Sequence, residues 1–288
     1  MMRTRGKKDG KGTETFERRN SMPYKWIELN VTNHVAEVSL NRTDKLNALS
    51  YELATEITDI FHELSEREEV WVAILKSNAR IFSAGLDLMD AATRGLIGSP
   101  KGLLDIPARE KNIFECCHAI EECKKPVIAA VHGMCVGAGL DIISACDLRV
   151  CSSDASFALR EARIGICADM GVLQRLPFII GQANTRYMAY TGRFFTAQEA
   201  EKMGLVLAVY PDRDAMLSGA RKIAEEILES APLAVQSTKE VLNFSRFVPV
   251  KEGITYAVHK NMVLLTTGDC REAMTAFMEK RKPVFKGE

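Results

Sequence analysis

Two uninterrupted apolar runs, Val70-Trp71-Val72-Ala73-Ile74-Leu75 and Val127-Ile128-Ala129-Ala130-Val131, limit what this chain can fold into. Strands this apolar must be covered on both faces, as in a parallel sheet flanked by helices. Strand, turn and helix patterns alternate around them from residue 24 to about 210. Ala36, Val38 and Leu40 alternate with polar neighbours, as in a half-buried strand. Asn41-Arg42-Thr43-Asp44 reads as a turn. Ser50 is placed to cap a helix whose apolar face is Leu53, Ile57, Ile60, Phe61 and Leu64. A further helix through Phe114 and Ile120 leads into the second run. The fold class is therefore α/β. Residues 90 to 110 lack clean periodicity and read as a mobile segment, with a helix start near Asp105 or Ala108.

After Pro211 the pattern becomes helical. Met216, Leu217, Ala220, Ile223, Ala224, Ile227 and Leu228 form one stripe, stopped by Pro232. A second helix is expected over 233 to 245 and a third over 252 to 279. This block either covers the core or packs on a second subunit. The chain thus divides into a disordered tail (1–22), a core (23–210) and a helical C-terminal region (211–288).

The 288 residues include 38 basic and 38 acidic side chains, which cancel. That balance leaves no footprint for nucleic acid or an anionic membrane. No apolar run approaches the roughly 18 residues of a membrane span. The polar first twenty-two residues lack the apolar core of a secretory signal, and Asp9, Glu14 and Glu17 suit a transit peptide poorly. Lys286-Gly287-Glu288 is not the Ser-Lys-Leu peroxisomal address. The eight cysteines, none in a Cys-x-x-Cys pair, read as buried reduced thiols of an intracellular protein, with no zinc site.

Three carboxylates lie in the most apolar third of the chain: Asp141, Glu161 and Asp169. A carboxylate in apolar surroundings takes up a proton more readily and is poised for proton transfer near neutral pH. Structural roles are equally open to each. Glu161 can pair with Arg160 or Arg163. Asp169 can cap a helix beginning at Gly171-Val172-Leu173. Asp147 beside Arg149, and Asp87 beside its turn, illustrate such roles. His132 follows a buried strand and precedes a glycine, which favours a hydrogen-bonded structural histidine over a general base.

Two glycine-bearing turns accompany the acids, Ala84-Gly85-Leu86 and Gly137-Ala138-Gly139, the second opening a helix through Ile142, Ile143 and Ala145. Such turns point N–H groups outward, and two of them can share one carbonyl oxygen as it gains negative charge. Other readings fail. Ile142 stands where a dinucleotide-binding turn needs its third glycine, and there is no phosphate-loop Gly-Lys-Ser/Thr or Gly-x-Ser-x-Gly elbow.

These residues carry a resemblance. The chain resembles the crotonase, or enoyl-CoA hydratase/isomerase, superfamily from about Ile27 to Lys282. The match rests on Leu40-Asn41-Arg42 through Leu46-Asn47-Ala48-Leu49, on Phe82-Ser83-Ala84-Gly85-Leu86-Asp87-Leu88, on Lys125-Pro126 through His132-Gly133, and on Gly137-Ala138-Gly139-Leu140-Asp141 through Asp147. The resemblance implies a crotonase-like spiral of strand-strand-helix repeats with a C-terminal helical region for trimerisation. It implies a coenzyme A thioester substrate with its carbonyl held by the backbone N–H groups of Leu86 and Ala138. Ala84, Gly85, Leu86, Asp87, Leu88 and Ala138 would bind substrate, and Lys45 to Leu49 would also line the coenzyme A path. Met89, Leu96, Leu103 and Leu104 are candidates for an acyl tunnel or for core packing.

The spacing of the three acids is similar to that in the Δ3,5-Δ2,4-dienoyl-CoA isomerase branch. That branch implies proton removal at C2 by Glu161 and delivery at C6 by Asp169, or the two roles exchanged, with Asp141 in support. It implies no metal and no cofactor beyond the coenzyme A of the substrate. A homotrimer or dimer of trimers would be expected, in a mitochondrial or peroxisomal matrix or a bacterial cytoplasm. The alternatives are an enoyl-CoA hydratase using Asp141 and Glu161 about a water, and a non-catalytic acyl-CoA-binding paralogue.

Overall fold

The computed structural model describes residues 24–94 and 111–288. The expected tail and most of the expected mobile segment lie outside the described residues, as do Leu96, Leu103 and Leu104. The start of that segment is ordered: Leu88–Thr93 is a helix (α2), capped by Asp87.

Strand β1 (Ile27–Thr32) pairs antiparallel with β2 (Val35–Leu40). The remaining members of the main sheet are β3 (Val72–Ser77), β4 (Val127–Val131), β6 (Leu148–Ser152) and β9 (Val209–Tyr210), all parallel. Sheet order is β1-β2-β3-β4-β6-β9. A smaller sheet orders β5 (Met134–Val136), β7 (Ser156–Ala158) and β8 (Phe195–Thr196) as β5-β7-β8.

The two apolar runs are covered on both faces. Ala73, Leu75, Val127 and Ala129 pack with Leu53, Ile57 and Phe61 of α1 (Tyr51–Glu66) and with α3 (Lys111–Glu122). Val72, Ile74, Ile128 and Ala130 face the other way, onto Met216, Ala220 and Ala224 of the helix Arg213–Leu228 (α7). The apolar stripe after Pro211 thus closes the core from behind. Ser50 caps α1 as expected, its hydroxyl accepting the Leu53 N–H.

Between these lie α4 (Ala138–Ala145), α5 (Val172–Thr191) and α6 (Ala197–Met203). Then follow α8 (Pro232–Ser245), α9 (Val250–Leu264) and α10 (Gly268–Glu279). The single helix expected over 252 to 279 is therefore two. Thr267 leaves the helical path for an extended conformation and caps the Cys270 N–H, an alternative that competes with helix continuation.

Helix α8 is fastened to the core by Lys239. Its buried ammonium donates to Asp147 Oδ2 at 2.7 Å and to the Lys125 carbonyl at 3.1 Å. This corrects the pairing expected from adjacency: Arg149 instead donates to the carbonyls of Leu205 and Cys146. Along α9, Val250, Ile254, Val258 and Met262 recur every four residues and are all exposed in the single chain. Six of the cysteines are buried, Cys167 is exposed and Cys270 half-buried; all eight are free thiols.

Candidate active site

The Leu46–Leu49 segment frames the site. Leu46 and Asn47 both have positive φ, 52° and 51°. Such backbone is costly for residues with a β-carbon and needs surrounding bonds to persist. The buried Asn47 supplies them. Its amide donates to Ser77 Oγ at 2.7 Å and the Phe82 carbonyl at 3.1 Å, and its Oδ1 accepts the Arg42 N–H. This frame holds the first glycine turn: Ala84 N–H donates to the Leu46 carbonyl, Leu49 N–H to that of Gly85, and Asp87 N–H to that of Leu49.

The second turn lies against the first. Ser83 and Cys135 form a parallel bridge, Ser83 N–H donating to Met134 O and Val136 N–H to Ser83 O. A β-carbon on Gly85 would fall 2.9 Å from the Val136 carbonyl oxygen and 3.8 Å from the Ala138 nitrogen. Glycine is thus what lets the turns come together. Among the described residues, neither the Leu86 N–H nor the Ala138 N–H donates to a protein group. Ala138 opens α4, where the helix N-terminus adds positive potential.

The carboxylates differ in setting. Asp141, 1 % exposed, sits in the first turn of α4, and its Oδ1 accepts the Val172 N–H at 2.8 Å. Burial pushes its carboxyl up to about 7; the Val172 N–H opposes this, and the nearby Glu161 and Asp169 charges add to the rise. Glu161 begins a 3-10 turn after β7 and packs against the second glycine turn, where a β-carbon on Gly137 would lie 3.0 Å from its Oε1. Its Oε2 is buried without a hydrogen-bond partner among the described residues. Burial raises this carboxyl too, and Asp169 adds to it against backbone N–H groups that oppose. Asp169 is surface-exposed in the single chain, yet the shielding that remains still raises its carboxyl.

The structural roles open to these acids fall differently than the sequence suggests. Arg160 donates to the Gly192 carbonyl and Arg163 to that of Thr191, so neither pairs with Glu161. Helix α5 is capped across the fold by Asp141, while its cap position is Gly171 and not Asp169. Asp87 is committed: it caps α2 through the Met89 and Asp90 N–H groups and pairs with Arg42 at 2.7 Å. Leu88 and Met89 beside it are exposed. His132 is buried with Nε2 on the Ala79 carbonyl, a structural histidine. Among the described residues, no three His, Cys, Asp or Glu side chains gather to hold a metal, and no helix is long and apolar enough to cross a membrane. Arg175 and Glu121 meet behind the Asp169 loop; pairing between residues 54 positions apart leaves no local signal in the sequence.

Residues 30–288 match the enoyl-CoA hydratase/isomerase family. The chain belongs to that family. Among its relatives, the peroxisomal Δ3,5-Δ2,4-dienoyl-CoA isomerase of Arabidopsis thaliana is 40% identical over 91% of this chain and 97% of its own length. The human mitochondrial Δ3,5-Δ2,4-dienoyl-CoA isomerase is 40% identical over 86% of this chain and 77% of its own. Among solved structures, the enoyl-CoA hydratase from Bacillus anthracis superposes with a TM-score of 0.85 at 33% identity, covering 92% of this chain and 100% of that one. The two sheets and their covering helices are thus the α/β crotonase fold of that family.

Proposed function

We propose that this chain is a Δ3,5-Δ2,4-dienoyl-CoA isomerase, which moves two conjugated double bonds toward the thioester of a 3,5-dienoyl-CoA. The observation that carries the reading is Glu161: a carboxyl with one buried, unpartnered oxygen, packed against the turn that presents the Ala138 N–H. Dienoyl-CoA isomerases among its relatives support it over most of the chain.

The thioester carbonyl accepts the Leu86 and Ala138 N–H groups. Glu161 removes a proton from C2, and the electron pair spreads through the diene onto the thioester oxygen. The two N–H groups stabilise that charge, and one such donor typically contributes about 2.7–4 kcal/mol. Asp169, protonated at the start, delivers its proton to C6 as the dienolate collapses to the 2,4-diene. Raised carboxyl pKa values suit one acid to hold a proton while its neighbour is ionised. Solvent contact at Asp169 lets the two acids return to their starting protonation states. Coenzyme A is part of the substrate, and the scheme uses no other cofactor. Ala84 to Leu88 line its path.

In the hydratase alternative Asp141 would hold a water through Oδ2 alone, because its Oδ1 accepts the Val172 N–H. The exposed apolar stripe of α9 fits a helical region (211–288) that joins subunits into a trimer or a dimer of trimers. A mitochondrial or peroxisomal matrix, or a bacterial cytoplasm, is the compartment we propose; the relatives' names read peroxisomal and mitochondrial.

The test mixes purified protein with 3,5-dienoyl-CoA and follows ultraviolet absorbance. Growth of thioester-conjugated diene absorption supports the reading; no change refutes it. Asp169→Asn should lower turnover by about 10²-fold or more. Deuterium uptake at C2 should persist in Asp169→Asn and vanish in Glu161→Gln; the reverse pattern exchanges the two roles.

A further inference from the structure

Arg175 lies one turn inside α5, only 6 % exposed, and it reaches back to the loop in front of its own helix. Its Nη1 donates to the Met170 carbonyl at 3.1 Å. Met170 directly follows Asp169. The loop wraps closely around the guanidinium: a β-carbon on Gly171 would fall 2.1 Å from Arg175 Nη1. The opposite edge of the guanidinium is occupied by Glu121 at the end of α3, whose Oε2 accepts Nε at 2.9 Å and Nη2 at 2.8 Å. This two-pronged geometry fixes the plane of an arginine as a lysine ammonium cannot.

Glu121 is itself held from a third element. Its Oε1 accepts Arg246 Nη1 just beyond α8, and its backbone carbonyl accepts Asn243 Nδ2 at 3.1 Å. Although burial pushes the Glu121 carboxyl up, Arg175 and Arg246 together hold it below its ordinary value, so it is ionised at neutral pH. The loop of Asp169 to Gly171 is thus gripped from two sides. Asp141 takes the Val172 N–H after it, and Arg175 takes the Met170 carbonyl within it.

We propose that Arg175 and Glu121 are positioning residues for proton transfer at Asp169, the guanidinium fixing the loop through the Met170 carbonyl and the carboxylate fixing the guanidinium. The proposal rests on the isomerase reading and deepens it. Neither side chain touches substrate. Their effect is on the place of the Asp169 carboxyl relative to C6, where a misplacement of about 1 Å costs on the order of 10²-fold in rate. Because the Glu121 carboxylate also binds Arg246 and its backbone carbonyl binds Asn243, the seating of α8 reaches the catalytic loop through the same residue.

The experiment is a double-variant cycle on the full chain with 3,5-dienoyl-CoA, using Glu121→Gln, Asp169→Asn and the pair. Glu121→Gln should lower kcat between about 10- and 10²-fold with KM within about twofold. In the Asp169→Asn background it should cause no further loss, because residues acting through one group are not additive. Equal losses in both backgrounds, or a rise in KM with kcat unchanged, would overturn the proposal. Arg175→Lys serves the same cycle if Glu121→Gln does not fold, with the same expected pattern. If the wild-type protein leaves 3,5-dienoyl-CoA unchanged, the isomerase reading and this proposal fall together. If the wild type and Asp169→Asn behave as proposed while the Glu121 losses add, the positioning role alone is lost.

Discussion

Asp141 Oδ1 accepts the Val172 N–H at 2.8 Å, joining residues 31 positions apart and seating the helix that follows the Asp169 loop. A buried acid thereby does the work of a helix cap, ordinarily done by a residue next to the helix. Neutral or ionised, its oxygen accepts that bond.

This arrangement gives a pH prediction. The folded value of about 7 lies above the ordinary 3.8, so the native state binds the extra proton between them. The burial cost of the charge is absent below the lower value and complete above the higher one, so stability falls as pH rises through that window. Asp141→Asn keeps an acceptor for Val172 and removes the titration. Urea midpoints measured from about pH 4 to about pH 7 should fall less steeply in the variant. Parallel curves would show that Asp141 does not titrate there.

Gly137→Ala should damage the site locally. Gly137 has φ 49°, and the added carbon would meet Glu161 Oε1 at 3.0 Å. Strain of about 1–3 kcal/mol is expected in stability, together with a kcat loss on the order of 10²-fold from displacing the base. Steady-state kinetics and a melting curve on the same preparation check both parts.

Gly85→Ala should separate the two turns, since its β-carbon would lie 2.9 Å from the Val136 carbonyl oxygen. Losing one donor to the thioester oxygen predicts a fall in kcat of roughly 10²–10³-fold. A variant that turns over at the wild-type rate would detach the Leu86 and Ala138 N–H groups from the chemistry.

Lys239→Met should loosen α8 from the core. It takes the ammonium away from the Asp147 carboxylate, which keeps the Val127 N–H, and removes a donor from the Lys125 carbonyl. Breaking a buried pair from one side costs about 3–5 kcal/mol, and Asp147, 24% exposed, places the loss at the lower end. Chemical denaturation measures it directly.

The elements easiest to read in the sequence were those set by local periodicity. The face of α1, its Ser50 cap and the two-sided burial of β3 and β4 each follow from neighbours within a few residues. The break at Thr267 is silent in the periodicity because a capping hydroxyl inside a helix-compatible stretch changes no apolar spacing. Adjacency misled at Asp147, whose partner Lys239 lies 92 positions away, and at Asp169, whose supposed cap belongs to Asp141. Glu161 is legible from its apolar surroundings and family motif, but its freedom from Arg160 and Arg163 depends on both arginines reaching Gly192 and Thr191.

The left-handed pair Leu46 and Asn47 leaves the loop beside the site almost no room to vary. Glycine at 47 would relax the backbone yet abandon the carbonyl of Phe82 and the hydroxyl of Ser77, while aspartate would put an acceptor where both demand a donor. No other side chain offers two donor hydrogens and an acceptor oxygen on so short a stem; a serine or threonine hydroxyl has one hydrogen for the two bonds. Random mutagenesis at this codon should therefore return asparagine almost alone among active clones.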